Sequence, residues 1–315
     1  MKTAISMPPP PSPSLVQSRP IREAFTNAIF GRRTAYIALT KPRIVNMVLI
    51  TVAVGFLLGA RGAWNPAILL LTLIGTGLVA AGASVWNQYL EREIDRRMRR
   101  TASRPLPSGQ LEPGHAALFG TALTLLGLGL LAMGPHPIAA AVALVTFLLY
   151  AFVYTPLKSR TTLNTAVGAI PGALPPVIGW SAATGQLGIE SLALFLIVFL
   201  WQFPHFLAIA WIYRSDYERA GLRMLPGIDP SGTLTGRQSA AHALALIPVG
   251  LLPAVVGLAG PIYFLGALGL GIFYLDASLR FWRNVSDTSA RRLLRASILY
   301  LPAILLLLLL NPLPS

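Results

Sequence analysis

The chain has 315 residues, of which 54% are hydrophobic and 11% charged, with a mean hydropathy of +0.64. A water-soluble domain has roughly a quarter of its residues charged. That excludes a soluble globular enzyme and assigns the formal charge of +14 to membrane-flanking loops, with no nucleic-acid partner implied. The absence of cysteine excludes disulfides, thiolate metal ligands and cysteine nucleophiles.

In chain order, residues 1–20 are rich in Pro and Ser and read as disordered. Residues 21–40 read as a short interfacial helix, with Phe25, Ile29 and Phe30 facing lipid and Arg32 and Arg33 facing headgroups. Nine apolar segments of spanning length follow, at 44–60, 67–90, 115–133, 138–155, 164–182, 189–211, 238–258, 262–282 and 294–311. The expected fold is therefore all-α, a polytopic membrane bundle of nine helices. Its parts are a cytoplasmic tail (1–43), an intramembrane domain (44–311) and a short outer tail (312–315).

The distribution of Lys and Arg gives the orientation. The tail holds seven, the 91–114 loop six, the 156–163 loop two, the 212–237 loop four and the 280–295 region five, all on one side. The other side holds only Arg61. This bias puts the N-terminus in the cytoplasm and the C-terminus outside. Trp64, Trp86, Trp180, Trp211 and Trp282 lie near span ends and read as interfacial anchors. The start lacks a signal-peptide core and a transit-peptide character, which favours a bacterial inner membrane.

The second span ends in Asn87, Glu91 and Asp95, spaced by four and so stacked on one helix face. Arg92, Arg96, Arg97, Arg99, Arg100 and Arg104 follow at once. Arginines alone would make an ordinary solvated cytoplasmic loop. Acids at a membrane helix end are costly unless they are used. Together the two sets suit a site in which carboxylates hold a divalent cation and guanidinium groups hold a diphosphate.

The sixth span and its exit loop carry a matching pattern, with Asp216 followed by arginines and then Arg223-Met224-Leu225-Pro226, against Arg104-Pro105-Leu106-Pro107 earlier. Two parallel four-helix units plus one helix would bring Asp95 and Asp216 face to face across a central cavity open to the cytoplasm. Span five carries Pro171, Pro175 and Pro176 with Gly168, Gly172 and Gly179. These either open a cavity or reflect ordinary tolerance of such residues in membrane helices. Gln202 and His205 lie one turn apart inside span six. For His205 a hydrogen bond to a neighbouring carbonyl and a contact with substrate are both open. His115, His136 and His242 sit near span ends and have no transition-metal spacing.

Asn87-x-x-x-Glu91-x-x-x-Asp95 followed by Arg100-Thr-Ala-Ser-Arg104-Pro-Leu-Pro-Ser-Gly resembles the first signature of the UbiA-type intramembrane prenyltransferases. Trp201-Gln-Phe-Pro-His-Phe, Asp216-Tyr-x-x-Ala-Gly-x-x-Met-Leu-Pro, Tyr154-Thr-Pro-Leu-Lys158 and the Gly/Pro run of span five are similar to the narrower protoheme IX farnesyltransferase (haem O synthase) branch. The resemblance spans residues 35–300. It departs at Glu91, where the signature usually has Asp, and at Asp216, which has no second acid four residues on.

The resemblance implies transfer of the farnesyl group of farnesyl diphosphate to the 2-vinyl group of haem B, with addition of water, giving haem O and diphosphate. It implies Mg²⁺ on Asn87, Glu91 and Asp95, with Asp216 as a further ligand. Arg100, Arg104, Lys158 and Arg160 would face the diphosphate, and Tyr154, Gln202 and His205 would contact haem or orient water. A haem A synthase or terminal-oxidase assembly proteins would be partners, beside the lipid bilayer. An aromatic prenyltransferase for quinone precursors is the nearest alternative; a transporter or assembly scaffold would need polar groups near the midplane and access to the outer side, whereas nearly all ionisable residues here crowd the inner face.

Overall fold

A computed structural model describes residues 31–313. The expectations for residues 1–20, Phe25, Ile29 and Phe30 lie outside it, as do residues 314 and 315. Among the described residues the chain is all-α, with nine helices long and apolar enough to cross a membrane. They are α1 (Pro42–Ala60), α2 (Pro66–Asp95), α3 (Pro113–Met133), α4 (Pro137–Leu157), α5 (Asn164–Thr184), α6 (Ile189–Ile212), α7 (Thr233–Val255), α8 (Pro261–Arg283) and α9 (Asp287–Leu310).

Proline opens α1, α2, α3, α4 and α8. Its fixed φ suits the first helical position, where its missing N–H would have no partner anyway. Asn65 caps α2 by accepting from Ala67 N at 2.8 Å. Ser286 caps α9 by accepting from Ser289 N, so that helix begins seven residues before the apolar run that marks it in the sequence.

Two large clusters make up most of the apolar interior. One joins residues of α1 to α5, the other α6 to α9, and α1 and α5 contribute to both. The two helices are pressed together by glycine. A Cβ on Gly55 would stand 2.0 Å from the Pro176 carbonyl oxygen, and one on Gly179 would stand 1.9 Å from that of Val52. Membrane helices use small residues in this way because close packing, rather than exclusion from water, drives their association.

Two of the tryptophans expected as interfacial anchors are not. Trp180 and Trp211 are 3% and 6% exposed and belong to the second cluster. Trp64 and Trp282 do face outward. Residues 31–39 form a short helix whose Ala35 and Leu39 pack on Val85 of α2 and Ala116 of α3, with Arg32 and Arg33 exposed.

Candidate active site

α2 runs unbroken to Asp95, so Asn87, Glu91 and Asp95 do share one face, and all three are buried. Each carries a basic or polar neighbour. Lys41 Nζ donates to Asn87 Oδ1 at 2.8 Å, and Asn87 Nδ2 donates to Thr155 Oγ1 at 3.1 Å. Lys158 Nζ lies 2.8 Å from Glu91 Oε1. Arg104 Nη1 donates to Asp95 Oδ2 at 2.6 Å, while Asp95 Oδ1 is buried without a hydrogen-bond partner among the described residues.

These side chains line a polar chamber of about 110 Å³, roofed by Met98, Leu222 and Met224 and walled by Arg100, Tyr150, Tyr154 and Tyr217. The roof is pinned where Arg223 N donates to the Lys158 carbonyl at 2.7 Å and Asn164 Nδ2 to the Arg223 carbonyl at 2.7 Å. Arg100 lies over the Tyr213 ring, 5.0 Å from its centroid.

The electrostatics follow from crowding. Removal from water, with Arg104 and Lys158 close by, lowers Lys41 to about 7, although Glu91 and Asp95 pull the other way. Burial also opposes the charge on Lys158, but Glu91, with Tyr154 and Tyr150, outweighs it and raises that lysine above its ordinary value. Burial raises the Tyr217 hydroxyl, against Arg100 and Lys158.

A second, apolar chamber of about 330 Å³ shares Tyr150 and Tyr154 with the first and extends between α1, α2, α4, α5 and α6. A local change in helix type places the two tyrosines. Residues Leu149–Tyr154 form a π-turn just before Pro156, with Thr155 N donating to the Tyr150 carbonyl. Pro156 cannot donate to Phe152 and its ring crowds that carbonyl, so a wider turn relieves the helix. Gly168 and Gly172 make room beside it, since a Cβ there would meet the Tyr154 ring at 2.4 Å and Gln202 Oε1 at 2.0 Å. α5 is split at Leu174, before Pro175, so its proline run does border a cavity.

Other expected site residues are placed differently. Gln202 lines the apolar chamber and donates to the Ala169 and Val198 carbonyls, both at 3.1 Å. His205 Nδ1 pairs with Ser297 Oγ at 2.7 Å and its ring stacks on Trp201, toward α9 and off both chambers. Its partner is a serine hydroxyl rather than a carbonyl. Arg160 is exposed.

Asp216 does not face Asp95. It pairs with Arg219 and lies off the polar chamber, and Tyr217 supplies the wall instead. The reason is that α6 stops at Ile212 and a new short helix, Arg214–Arg219, turns the chain. Lys41 and Tyr150 were not singled out in the sequence, and Thr155 and Tyr217 stand inside the Tyr154–Lys158 and Asp216–Pro226 segments without a role of their own. Lys41 precedes Pro42 in a left-handed conformation, φ 50°, which no apolar pattern announces. Among the described residues no cluster of three His, Cys, Asp or Glu could hold a metal. The donors that remain are hard oxygens, Asn87, Glu91 and the unpartnered Asp95 Oδ1. They suit Mg²⁺, which takes few protein ligands and shares the rest with water and phosphate.

The model of the UbiA prenyltransferase family matches residues 48–313. This chain belongs to that family. Its relatives include protoheme IX farnesyltransferases from Solibacter usitatus, 48% identical over 88% of this chain and 98% of the relative, and from Koribacter versatilis, 43% identical over 88% and 92%. The relative of the same name from Aquifex aeolicus is 41% identical over 84% and 91%.

Solved structures share the UbiA fold. A structure of digeranylgeranylglyceryl phosphate synthase aligns with TM-score 0.76 at 19% identity, covering 88% of this chain and 97% of that one. A UbiA homologue from Archaeoglobus fulgidus bound to GPP and Mg²⁺ aligns with TM-score 0.65 at 17% identity, covering 87% and 99%. The nine apolar helices are thus those of a multi-pass membrane prenyltransferase fold.

Proposed function

We propose that this chain transfers the farnesyl group of farnesyl diphosphate to the 2-vinyl group of haem B, giving haem O. The observation that carries the prenyl-transfer half is the paired chamber. A small basic and acidic compartment lies beside an apolar one, with two tyrosines lining both, an arrangement that suits a diphosphate joined to a hydrocarbon chain. The names of the relatives, with the Trp201–Phe206 segment, support haem B as acceptor.

Arg100, Arg104, Lys41 and Lys158 bind the diphosphate and hold it against the α2 face. Mg²⁺ held by Asn87, Glu91 and Asp95 would neutralise the leaving group's charge. Asp216, paired with Arg219 and off the chamber, has no part in that set. As the allylic carbon–oxygen bond breaks, Tyr150 and Tyr154, which line both chambers, stand beside the carbocation and supply aromatic rings that attract positive charge. The apolar chamber keeps bulk water from it. The terminal vinyl carbon supplies the electron pair for the new carbon–carbon bond. Water then adds to the neighbouring carbon and loses a proton, leaving a hydroxyl. The basic end of the bundle, which carries this site, faces the cytoplasm of a bacterial inner membrane.

Purified protein given Mg²⁺, haem B and farnesyl diphosphate is expected to form haem O, identified by chromatography and mass. Recovery of unchanged haem B while 4-hydroxybenzoate or a similar phenol is prenylated would overturn the acceptor assignment and favour a quinone-pathway enzyme.

A further inference from the structure

The apolar chamber ends among buried residues, and the position of that end bears on which prenyl chain the protein accepts. This inference rests on the farnesyl-transfer reading. On α2 the deepest lining residue is Thr76, on α4 Ala143 and on α5 Ile178. At the level of Ile178, α1 and α5 touch backbone to backbone at Gly55 against Pro176 and Gly179 against Val52, so no passage opens between those two helices there. Thr76 and Asn87 are eleven residues apart on an unbroken helix, about 16 Å along its axis. An extended isoprenoid of three units has twelve carbons in its main chain. With bonds of about 1.5 Å and a tetrahedral zigzag it spans roughly 14 Å.

The Thr76 hydroxyl adds a second observation. Thr72 and Thr124 return their hydroxyls to the carbonyl one turn back, at 2.7 and 2.9 Å. Thr76 is 2% exposed and its Oγ1 has no partner among the described residues. A buried hydroxyl without a partner is a cost the fold carries only where something keeps it from its own helix. Here it stands at the end of the chamber.

We propose that Thr76, Ala143 and Ile178 form a floor that measures the prenyl chain and selects three isoprene units over two or four. A four-unit chain must displace the floor, and overpacking of a closed apolar site costs enough to lower its use by about tenfold or more. A two-unit chain leaves the floor uncovered and gives up the burial of one unit.

The test is a competition. Full-length protein in lipid nanodiscs receives Mg²⁺, haem B and equal amounts of geranyl, farnesyl and geranylgeranyl diphosphate, with products resolved by mass. In parallel, each diphosphate displaces labelled farnesyl diphosphate without any acceptor present. The wild-type chain is expected to prefer farnesyl in both assays. Ile178→Ala and Thr76→Ala should raise the geranylgeranyl-to-farnesyl ratio about tenfold, and Ala143→Phe should shift preference toward geranyl. Ratios unchanged within about twofold in variants that still bind labelled farnesyl diphosphate would overturn the proposal, as would equal use of farnesyl and geranylgeranyl by the wild type. If Ala143→Phe does not fold, the two enlarging variants decide. If haem is never prenylated but displacement keeps the chain-length order and its shifts, the floor stands and the haem reading falls.

Discussion

Lys41 shows how far a residue's role can depend on its surroundings. Its count in the sequence is one of seven basic residues in a tail. In the fold it reaches Asn87 and its pKa falls to about 7 because it loses water and gains two cationic neighbours. An ordinary lysine with a pKa near 10.4 is about 0.1% neutral at pH 7.5, and the lowered pKa of Lys41 gives it a far larger neutral share there. Acylating reagents at pH 7.5 should therefore modify Lys41 first, read by peptide mass. A prenyl diphosphate adds negative charge, favours the ammonium form and raises the pKa, so it should protect Lys41 and shift its reactivity to higher pH. Asp95 gives the complementary prediction. Asp95→Asn keeps the shape but removes the charge that faces Arg104 and the chamber, so turnover should fall by about a hundredfold or more, measured as product formed per minute at saturating substrate. Near-normal turnover would remove this carboxylate from the account. The acids of α2 were legible in the sequence because i, i+4 spacing puts them on one face, and the arginines because they follow at once, although it is the loop's turns that bring Arg100 and Arg104 back to the chamber. Lys41, Tyr150 and Tyr217 were not, because a left-handed residue, a π-turn and a separate short helix bring them in.

Helices are held to one another here by what is absent. The added methyl of Gly179→Ala would fall 1.9 Å from the Val52 carbonyl oxygen and 2.7 Å from Phe56 N. Backbone cannot yield as a flexible side chain can, so the variant should lose about 3 kcal/mol, the upper end for overpacking, seen as a lowered midpoint in thermal unfolding in detergent. Gly129→Ala, on α3 with nothing within 4 Å of the added carbon, should instead leave stability unchanged or raise it by up to about 1 kcal/mol. Equal behaviour of the two would mean that α1 and α5 are not packed as described. The sequence marks both glycines alike. The choice between a cavity-forming and a merely tolerated Gly/Pro run in α5 needed the neighbouring helices, since Gly168 and Gly172 matter through Tyr154 and Gln202 on α4 and α6.

At the scale of the whole molecule, nine spans among the described residues with the basic loops on one side lead us to propose that α1 enters from the cytoplasm and α9 leaves on the outer side. Single cysteines at Ser103, Ser159 and Ser231 should label with an impermeant thiol reagent only from the cytoplasm, and ones at Ala63 and Thr184 only from outside. Labelling of Ser159 from outside would break the orientation. Span count, span order and the basic end were all readable from the chain, because the cost of placing charge and unpaired backbone in hydrocarbon writes itself into composition along every span. Asn87, Glu91 and Asp95 were readable for the same local reason, a helical period. The tertiary structure decided what local periods do not encode. It paired Asp216 with Arg219, buried Trp180 and Trp211 in the core, sent His205 to Ser297, and set a polar chamber beside an apolar one with two tyrosines lining both. Each of these depends on which helices become neighbours and how closely they approach, and that is settled by packing between segments far apart in the chain.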